Sequence, residues 1–510
     1  MRVDRSGAIP EFRMPPKTLR RFLRPTAALG LFVVAALGIA GVPAAAQMRG
    51  DFGSIGGRGM SVGPRMMSPG SFGMRLDPTL RTGPGNDGSV TDNGGGGGAT
   101  NTTRKVNTTS KRHKDGGSNS NNTQTTRRLD SGVPPAGERR YASDEVVIEG
   151  NLTERQIAAL TARLHLVRLE SQRIALTNTT FFRWRISDRR PVSTVIHQLE
   201  RGGVRAQPNY FYETAQDAAT PAASAEGDPA QYALAKLRLG EAHGLARGDK
   251  VKVAVIDSGI DVDHPELQGV IAGQFDALDS KEGPHPHGTG IAGIIAAHAK
   301  LMGAAPAVQI LAVRAFGATS GSTFSILKSL DWAVAQNARV INMSFAGPSD
   351  PALARALALA RQKGVILIAA AGNAGPKSPP LYPAADAGVI AVTATDADDK
   401  LFAMANRGSY VAIAAPGVDI LMPSPGGSYQ MSSGTSMAAA YVTGVAALLL
   451  ERRPGLDPDG LRKVLLSTAR DLGPKGRDDQ FGAGLTDAYQ AVMSIETKAA
   501  DTEGAGTAKR

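Results

Sequence analysis

From residue 251 onward, short apolar runs alternate with segments of helical spacing, and this alternation limits the possible folds more than any other feature. Runs without polar alternation are typical of strands buried on both faces of a sheet. Repeated strand and helix alternation predicts an α/β fold with a parallel central sheet and helices on both sides. The apolar runs are residues 251–256, 309–313, 340–343, 365–370 and 389–392, and the helical segments are 323–337, 352–363 and 437–451.

Four reactive side chains follow these runs or open helices. Asp257 follows the first run, Asn373 comes shortly after the run that ends at residue 370, and His287 and Ser436 each begin an apolar segment. In parallel sheets, functional sites form at the carboxyl ends of strands. A hydroxyl becomes a nucleophile when a base takes its proton and a carboxylate orients that base, and the resulting oxyanion needs donors already in place. This set of groups therefore favours acyl transfer.

Simpler interpretations exist for several of these residues. Asp257 alone is also typical of a turn that follows a strand. His285 and His287 resemble a metal-binding pair, but no Glu or third His stands at ligand spacing, which disfavours zinc. Residues 288–293 match a dinucleotide-binding fingerprint, yet they follow a polar loop instead of a strand. The apolar segment at 437–450 is too short to span a bilayer.

Four short strings carry a resemblance to one family. They are Val-Ile-Asp257-Ser-Gly-Ile-Asp, His287-Gly-Thr-Gly, Ala-Ala-Ala-Gly-Asn373 and Gly-Thr-Ser436-Met-Ala, in that order. They resemble the signatures of subtilisin-like serine peptidases, and the similarity spans residues 229–492. The resemblance implies a subtilisin-like three-layer α/β fold for this region. It also implies a catalytic triad of Asp257, His287 and Ser436, with Asn373 as a donor in the oxyanion hole.

The same resemblance implies a substrate-binding surface on two uncharged stretches. An apolar or uncharged residue is expected before the cut bond, because neither stretch carries a charge. No cofactor and no metal site are expected. Calcium is not supported, since Glu266 alone cannot build the site that many relatives have. The substrate-binding residues are Ser344, Phe345, Ala346, Gly347, Ala370, Ala371 and Gly372.

A second, smaller domain is predicted at residues 141–214. Strands at 146–148, 180–186 and 204–212 alternate with helices at 153–164 and 192–201, which predicts a small α/β sandwich. This domain resembles the inhibitory propeptide of the same peptidases. The resemblance implies a precursor that is inhibited by its own propeptide. It also implies self-cleavage within or near the linker at 215–228, between about residues 212 and 229.

The amino terminus predicts export. A basic stretch ending at Arg24 precedes an apolar run at 26–42, and small residues follow up to Ala46. This layout predicts a cleaved signal peptide over residues 1–46, because the run is shorter than the ~20 residues that a membrane anchor needs. The protein is therefore expected to be secreted or periplasmic, with membrane contact only during export. The absence of cysteine agrees with any redox compartment.

The net charge of +11 does not indicate a nucleic-acid partner. Residues 1–24 contain seven Lys and Arg against two Asp and Glu, and residues 48–140 contain fourteen against seven, so these segments account for the whole excess. Residues 47–140 are rich in Gly and Asn and predict a disordered basic linker. Its alternative role is a tether to anionic cell-surface polymers. The tail at 493–510 is also expected to be disordered.

The sequence thus predicts an exported serine endopeptidase that acts on polypeptide substrates. Two other classes stay open at this stage. One is a catalytically silent subtilase-like binding protein, and the other is a surface-binding or nucleic-acid-binding protein with a protease-like body. The presence of all four predicted catalytic groups favours the active enzyme.

Overall fold

A computed structural model describes residues 131–215, 220–221, 231–317 and 320–495. Four predicted segments lie largely or wholly outside these residues: the signal peptide at 1–46, the linker at 47–140, the processing linker at 215–228 and the tail at 493–510. Of residues 220–221, only the backbone is described.

The small domain has four strands and two helices. Helix α1 begins with a capping box, because Thr153 and Gln156 exchange side-chain to backbone hydrogen bonds. Both helices pack on one face of an antiparallel sheet, where they enclose an apolar core around Trp184. The elements are β1 Tyr141–Glu149, α1 Glu154–Leu164, β2 Leu166–Ile174, β3 Thr179–Ile186, α2 Val192–Arg201 and β4 Arg205–Thr214.

The larger domain contains the predicted alternation of strands and helices. Its strands are β5 Thr220–Pro221, β6 Lys252–Asp257, β7 Ile271–Asp276, β8 Gln309–Arg314, β9 Gly321–Ser322, β10 Val340–Met343, β11 Phe345–Ala346, β12 Ile366–Ala370, β13 Ile390–Thr395, β14 Val411–Pro416, β15 Ile420–Ser424 and β16 Ser428–Ser432. Its helices are α3 Tyr232–Lys236, α4 Leu239–His243, α5 Pro286–Ala296, α6 Thr323–Ala335, α7 Pro351–Gln362, α8 Thr435–Arg452 and α9 Pro458–Thr468.

Seven strands form the central sheet, in the order β14–β13–β12–β10–β6–β8–β7, and their pairing is parallel. Alternate residues of β6 face opposite sides. Val253 and Val255 belong to the core with α5 and α8, whereas Ala254 and Ile256 belong to the core with α6 and α7. This two-sided burial explains why the runs showed no polar alternation.

The free face of the small domain's sheet packs on the larger domain. Val147, Phe181 and Tyr210 belong to the same apolar core as α6 and α7. An ion pair adds to this contact, because Lys328 Nζ lies 2.7 Å from Glu170 Oε1. The small domain also contacts the amino-terminal ends of α6 and α7, where Thr323 Oγ1 accepts from Tyr210 N at 3.1 Å and Gln207 Oε1 accepts from Ala352 N at 2.9 Å.

Three sequence expectations need correction. Strand β2 was not predicted, because this edge strand is exposed along most of its length and contains a register shift near Arg168. The predicted linker extends to residue 140, yet Gly132 is buried and its N–H donates to Glu200 at 2.7 Å. The predicted tail begins at residue 493, yet Ile495 lies in the main core. Composition misplaced both boundaries, because the few residues that anchor each end do not change the overall composition of the segment.

Candidate active site

Asp257 and His287 meet at the carboxyl end of the central sheet. Asp257 ends β6 and His287 is the second residue of α5, and both side chains are fully buried. His287 Nδ1 lies 2.6 Å from Asp257 Oδ1. The carboxylate therefore holds the imidazole by one ring nitrogen and directs the other, Nε2, away from itself. Nε2 is buried and has no hydrogen-bond partner among the residues described.

Ser258 and His285 fix this pair in place. Ser258 donates to Asp257 Oδ1 from its backbone N–H at 2.7 Å, and its hydroxyl accepts from Gly288 N at 3.0 Å. His285 caps α5 by accepting from the His287 N–H at 3.3 Å. The pKa of His285 is lowered, first by burial and then by the nearby His287. A neutral ring leaves its Nδ1 able to accept this bond.

Ser436 is the second residue of α8 and is fully buried. Its hydroxyl donates to the carbonyl oxygen of Ala215, and its backbone N–H points to the same oxygen at 3.3 Å. Within the described ranges, no hydrogen bond joins Ser436 to His287. The structure thus pairs Asp257 with His287 and pairs Ser436 with the chain segment that follows β4.

Asn373 lies beside the start of α8 with its amide orientation fixed. Its Oδ1 accepts from Thr435 N at 3.1 Å and from Thr435 Oγ1 at 2.8 Å. Its Nδ2 is buried without a partner in the part of the chain that the structure describes. Gly372 has a φ of +106°, and a Cβ there would lie 2.6 Å from Asn406 Nδ2. The loop therefore needs glycine in order to present Asn373.

The first predicted substrate-binding stretch contacts a strand of the small domain. Strand β11 pairs antiparallel with the end of β4, so that Phe345 lies opposite Thr214 and Ala346 opposite Glu213. Ser344 accepts from Ala215 N at 3.1 Å. A Cβ on Gly347 would lie 2.3 Å from the ring of Tyr212, so this glycine leaves room for the ring. All four residues of this stretch therefore face the segment 212–215.

The second predicted substrate-binding stretch is buried. Ala370 shares the main core with Ala215. Ala371 accepts from Asn406 Nδ2 at 3.1 Å, and Gly372 N donates to Thr435 Oγ1 at 3.1 Å. Ala371 and Gly372 therefore position Asn373, and their hydrogen bonds go to Asn406 and Thr435.

Sequence reasoning missed the strand that contacts the end of β4 on its other side, across from β11; β9 and β11 form the two walls of the candidate substrate-binding cleft. Strand β9 pairs with β4 on the side opposite β11, with Tyr212 opposite Gly321. The end of β4 thus lies between two short strands of the larger domain, which is the geometry of peptide binding by strand addition. A two-residue strand of Gly and Ser carries no hydrophobic pattern, so its sequence contained no signal. The role of Ser258 could have been predicted from the sequence, because this residue directly follows Asp257.

Glu266, which the calcium expectation concerned, is fully buried and hydrogen bonded. One oxygen accepts from Lys300 N and from the Tyr429 hydroxyl at 2.9 and 2.8 Å, and the other accepts from Ala299 N at 2.9 Å. No cluster of three or more His, Cys, Asp or Glu suited to a metal occurs in the described residues. Nor is any helix in those ranges both long enough and apolar enough to span a bilayer.

Comparison with known proteins finds relatives in one peptidase family. A family model described as the subtilase family matches residues 248–484. Thermitase from Thermoactinomyces vulgaris is 36% identical over 272 residues, covering 52% of this chain and 96% of thermitase. Subtilisin E from Bacillus subtilis is 36% identical over 275 residues, covering 51% and 71%. The crystal structure of fervidolysin from Fervidobacterium pennivorans, a keratinolytic enzyme related to subtilisin, is similar with a TM-score of 0.59 at 25% identity. That similarity covers 69% of this chain and 61% of fervidolysin.

Proposed function

The chain belongs to the subtilase family and is a subtilisin-like serine endopeptidase, and we propose that it acts through Asp257, His287 and Ser436 as an exported, self-processing precursor. Ser436 Oγ attacks the carbonyl carbon of the substrate while His287 Nε2 takes its proton. His287 then gives that proton to the leaving amine. Water repeats the sequence on the acyl-enzyme, and Asp257 keeps the imidazole oriented throughout.

The negative charge that forms on the carbonyl oxygen is stabilised by two donors. One is the Ser436 N–H, at the amino terminus of an 18-residue helix, where the helix dipole also favours negative charge. The other is Asn373 Nδ2, which is buried and without a described partner while its Oδ1 is held by Thr435. A donor held in place before the reaction costs no reorganisation when the charge appears.

The observation that carries the proposal is the position of Ala215. Its carbonyl oxygen accepts from the Ser436 N–H, and its own N–H donates to Ser344 at 3.1 Å. This is the position of the residue whose carbonyl is attacked. The small domain then acts as the propeptide, and the bond that the precursor cuts is Ala215–Gln216. In this arrangement the Ser436 hydroxyl contacts the carbonyl of Ala215, which accounts for the missing contact with His287.

Export rests on the sequence of residues 1–46. A basic stretch, an apolar run and a small-residue site lie in the order that a signal peptidase recognises. Protein recovered outside the cytoplasm is expected to lack this segment. Recovery of a chain that still carries residues 1–46 in the membrane fraction would indicate an uncleaved anchor instead.

Processing is tested with the Ser436→Ala variant of the full chain in a protease-deficient host. The parent chain should yield a large fragment that begins at Gln216, measured by mass spectrometry, while the variant should stay intact. Ser467→Ala is a matched control, because this serine lies on α9, where its hydroxyl donates to Val464. Normal processing of Ser436→Ala would refute self-cleavage, and a fragment with another amino terminus would refute the assignment of the bond.

A further inference from the structure

Tyr212 occupies a pocket of the larger domain. Counting back from Ala215, it is the fourth residue before the proposed cut. Its side chain is fully buried, and its ring meets Phe345 edge to face, with centroids 5.8 Å apart and planes at 82°. The ring also lies against Gly347, where a Cβ would approach it to 2.3 Å. The pocket thus has an aromatic wall and a glycine wall that admit a flat ring.

A carboxylate lies at the inner end of this pocket. The Tyr212 hydroxyl lies 3.2 Å from Asp350 Oδ2 and 3.4 Å from the Pro348 carbonyl oxygen. Asp350 is only 3% exposed. The pKa of Tyr212 is raised well above its usual value, first by burial and then by Asp350. The hydroxyl therefore stays protonated and donates to the carboxylate.

Asp350 is held by the larger domain itself. Its Oδ1 caps α7 by accepting from Ala352 N at 2.9 Å and Leu353 N at 3.0 Å. Its Oδ2 accepts from Thr323 Oγ1 at 2.6 Å. Gln207 of the small domain adds one more bond at 2.6 Å. Because three donors of the larger domain fix the carboxylate, it keeps its position when the small domain leaves.

We propose that the mature enzyme prefers polypeptides with tyrosine at the fourth position before the cut, and that Asp350 recognises this tyrosine by accepting a hydrogen bond from its hydroxyl. This inference rests on the proposed function. A phenylalanine would fill the same space but would leave the carboxylate oxygen buried with one donor fewer. A site that forms a hydrogen bond with a hydroxyl discriminates against an analogue that lacks the hydroxyl. Hydrogen bonds to charged groups are stronger than hydrogen bonds between neutral groups. Asp350 is thus a specificity-determining residue of the cleft.

The test uses the full-length chain after it has completed processing. Quenched fluorescent peptides share Glu-Thr-Ala before the cut and carry tyrosine, phenylalanine or O-methyltyrosine at the fourth position. The parent enzyme should show a kcat/KM about tenfold higher for tyrosine than for the other two, as expected for one charge-assisted hydrogen bond. Mass spectrometry of the products verifies that each peptide is cut after alanine.

The role of Asp350 in tyrosine recognition is tested with Asp350→Ser. Serine also caps helices, but its side chain is too short to reach the tyrosine hydroxyl. The readout is the ratio of tyrosine to phenylalanine within each variant, so a general loss of activity cancels. The ratio should fall to about one or two on loss of this bond. Asp457→Ser is the matched control, since Asp457 caps α9, and it should retain the tenfold ratio.

Four results would contradict these inferences, and each identifies a different error. Equal cleavage of tyrosine and phenylalanine peptides by the parent enzyme would overturn the preference while leaving the peptidase function intact. Cleavage of the O-methyltyrosine peptide as fast as the tyrosine peptide would overturn the donor role of the hydroxyl. A tenfold ratio retained by Asp350→Ser would overturn the role of this residue. No cleavage of any peptide would refute the proposed function itself.

Discussion

Replacing Glu266 by alanine should destabilise the protein strongly, because this buried carboxylate organises the chain that follows α5. Its oxygens accept from the backbone N–H groups of Ala299, Lys300 and Leu301 and from the Tyr429 hydroxyl. Without the carboxylate, the exposed amides of Ala299 and Lys300 turn to water, but Leu301 is only 4% exposed. Its N–H then stays buried without an acceptor.

The expected loss follows from these contacts. A buried donor without a partner costs about 1–3 kcal/mol, and each hydrogen bond exchanged for water costs about 0.5–1.5 kcal/mol. The variant should therefore lose about 4 kcal/mol of unfolding free energy. In a domain of this size, that corresponds to a decrease of about 8–16 °C in Tm.

The assay is thermal unfolding followed by circular dichroism in the Ser436→Ala background, which prevents autolysis. Glu282→Ala is the control, because the Glu282 side chain is 55% exposed and pairs only loosely with Arg314 at 3.7 Å. It should change the stability by less than about 1 kcal/mol. A Glu266→Ala variant that melts within about 2 °C of its parent would refute the reasoning, since that is the shift expected for about 1 kcal/mol or less.

Three further predictions concern other parts of the molecule. Asn373→Ala should lower kcat by about 10²–10³, a magnitude established for the corresponding donor in subtilisin itself; a loss below tenfold would exclude an oxyanion role. Gly347→Ala should slow processing of the precursor at least tenfold, because its Cβ would lie 2.3 Å from the Tyr212 ring, and gel time courses that match the parent would contradict this. Stability should be retained below pH 10 and fall between about pH 10 and 12. Burial, followed by the hydrogen bond to Glu266, raises the pKa of Tyr429 to about 12 in the folded protein. As the pH rises, Tyr429 therefore loses its proton in the unfolded chain before it does so in the folded protein, which favours unfolding. A constant Tm between pH 9 and 11.5 would refute the predicted loss of stability with rising pH.

The sequence predicted the centre of the fold well, for a physical reason. Strand β10 was predicted with its observed ends, and β6 and β12 each begin one residue later than predicted. Strands buried on both faces leave continuous apolar runs that are hard to mistake. The edge strand β2 is exposed along most of its length, and the edge strand β7 contains no fully buried residue. Burial therefore does not impose a continuous apolar run on either strand.

The cleft was only partly predictable. Asp257, His287, Asn373 and Ser436 stand in local strings whose residue types already indicate acyl transfer. By contrast, Asp350 precedes a proline at the start of α7, which is typical of any helix amino terminus. Its role at the inner end of a pocket depends on β4, which lies far away in the chain. Long-range pairing of this kind leaves no local signal.

The most direct test of the proposed mechanism is labelling of the processed enzyme with a fluorophosphonate probe, followed by peptide mapping of the adduct. The probe forms a stable bond only with a serine hydroxyl that a neighbouring base activates. One adduct on Ser436 is the expected result. No adduct would contradict the proposed triad and favour a catalytically silent binding protein, and an adduct on a different residue would contradict the role of Ser436.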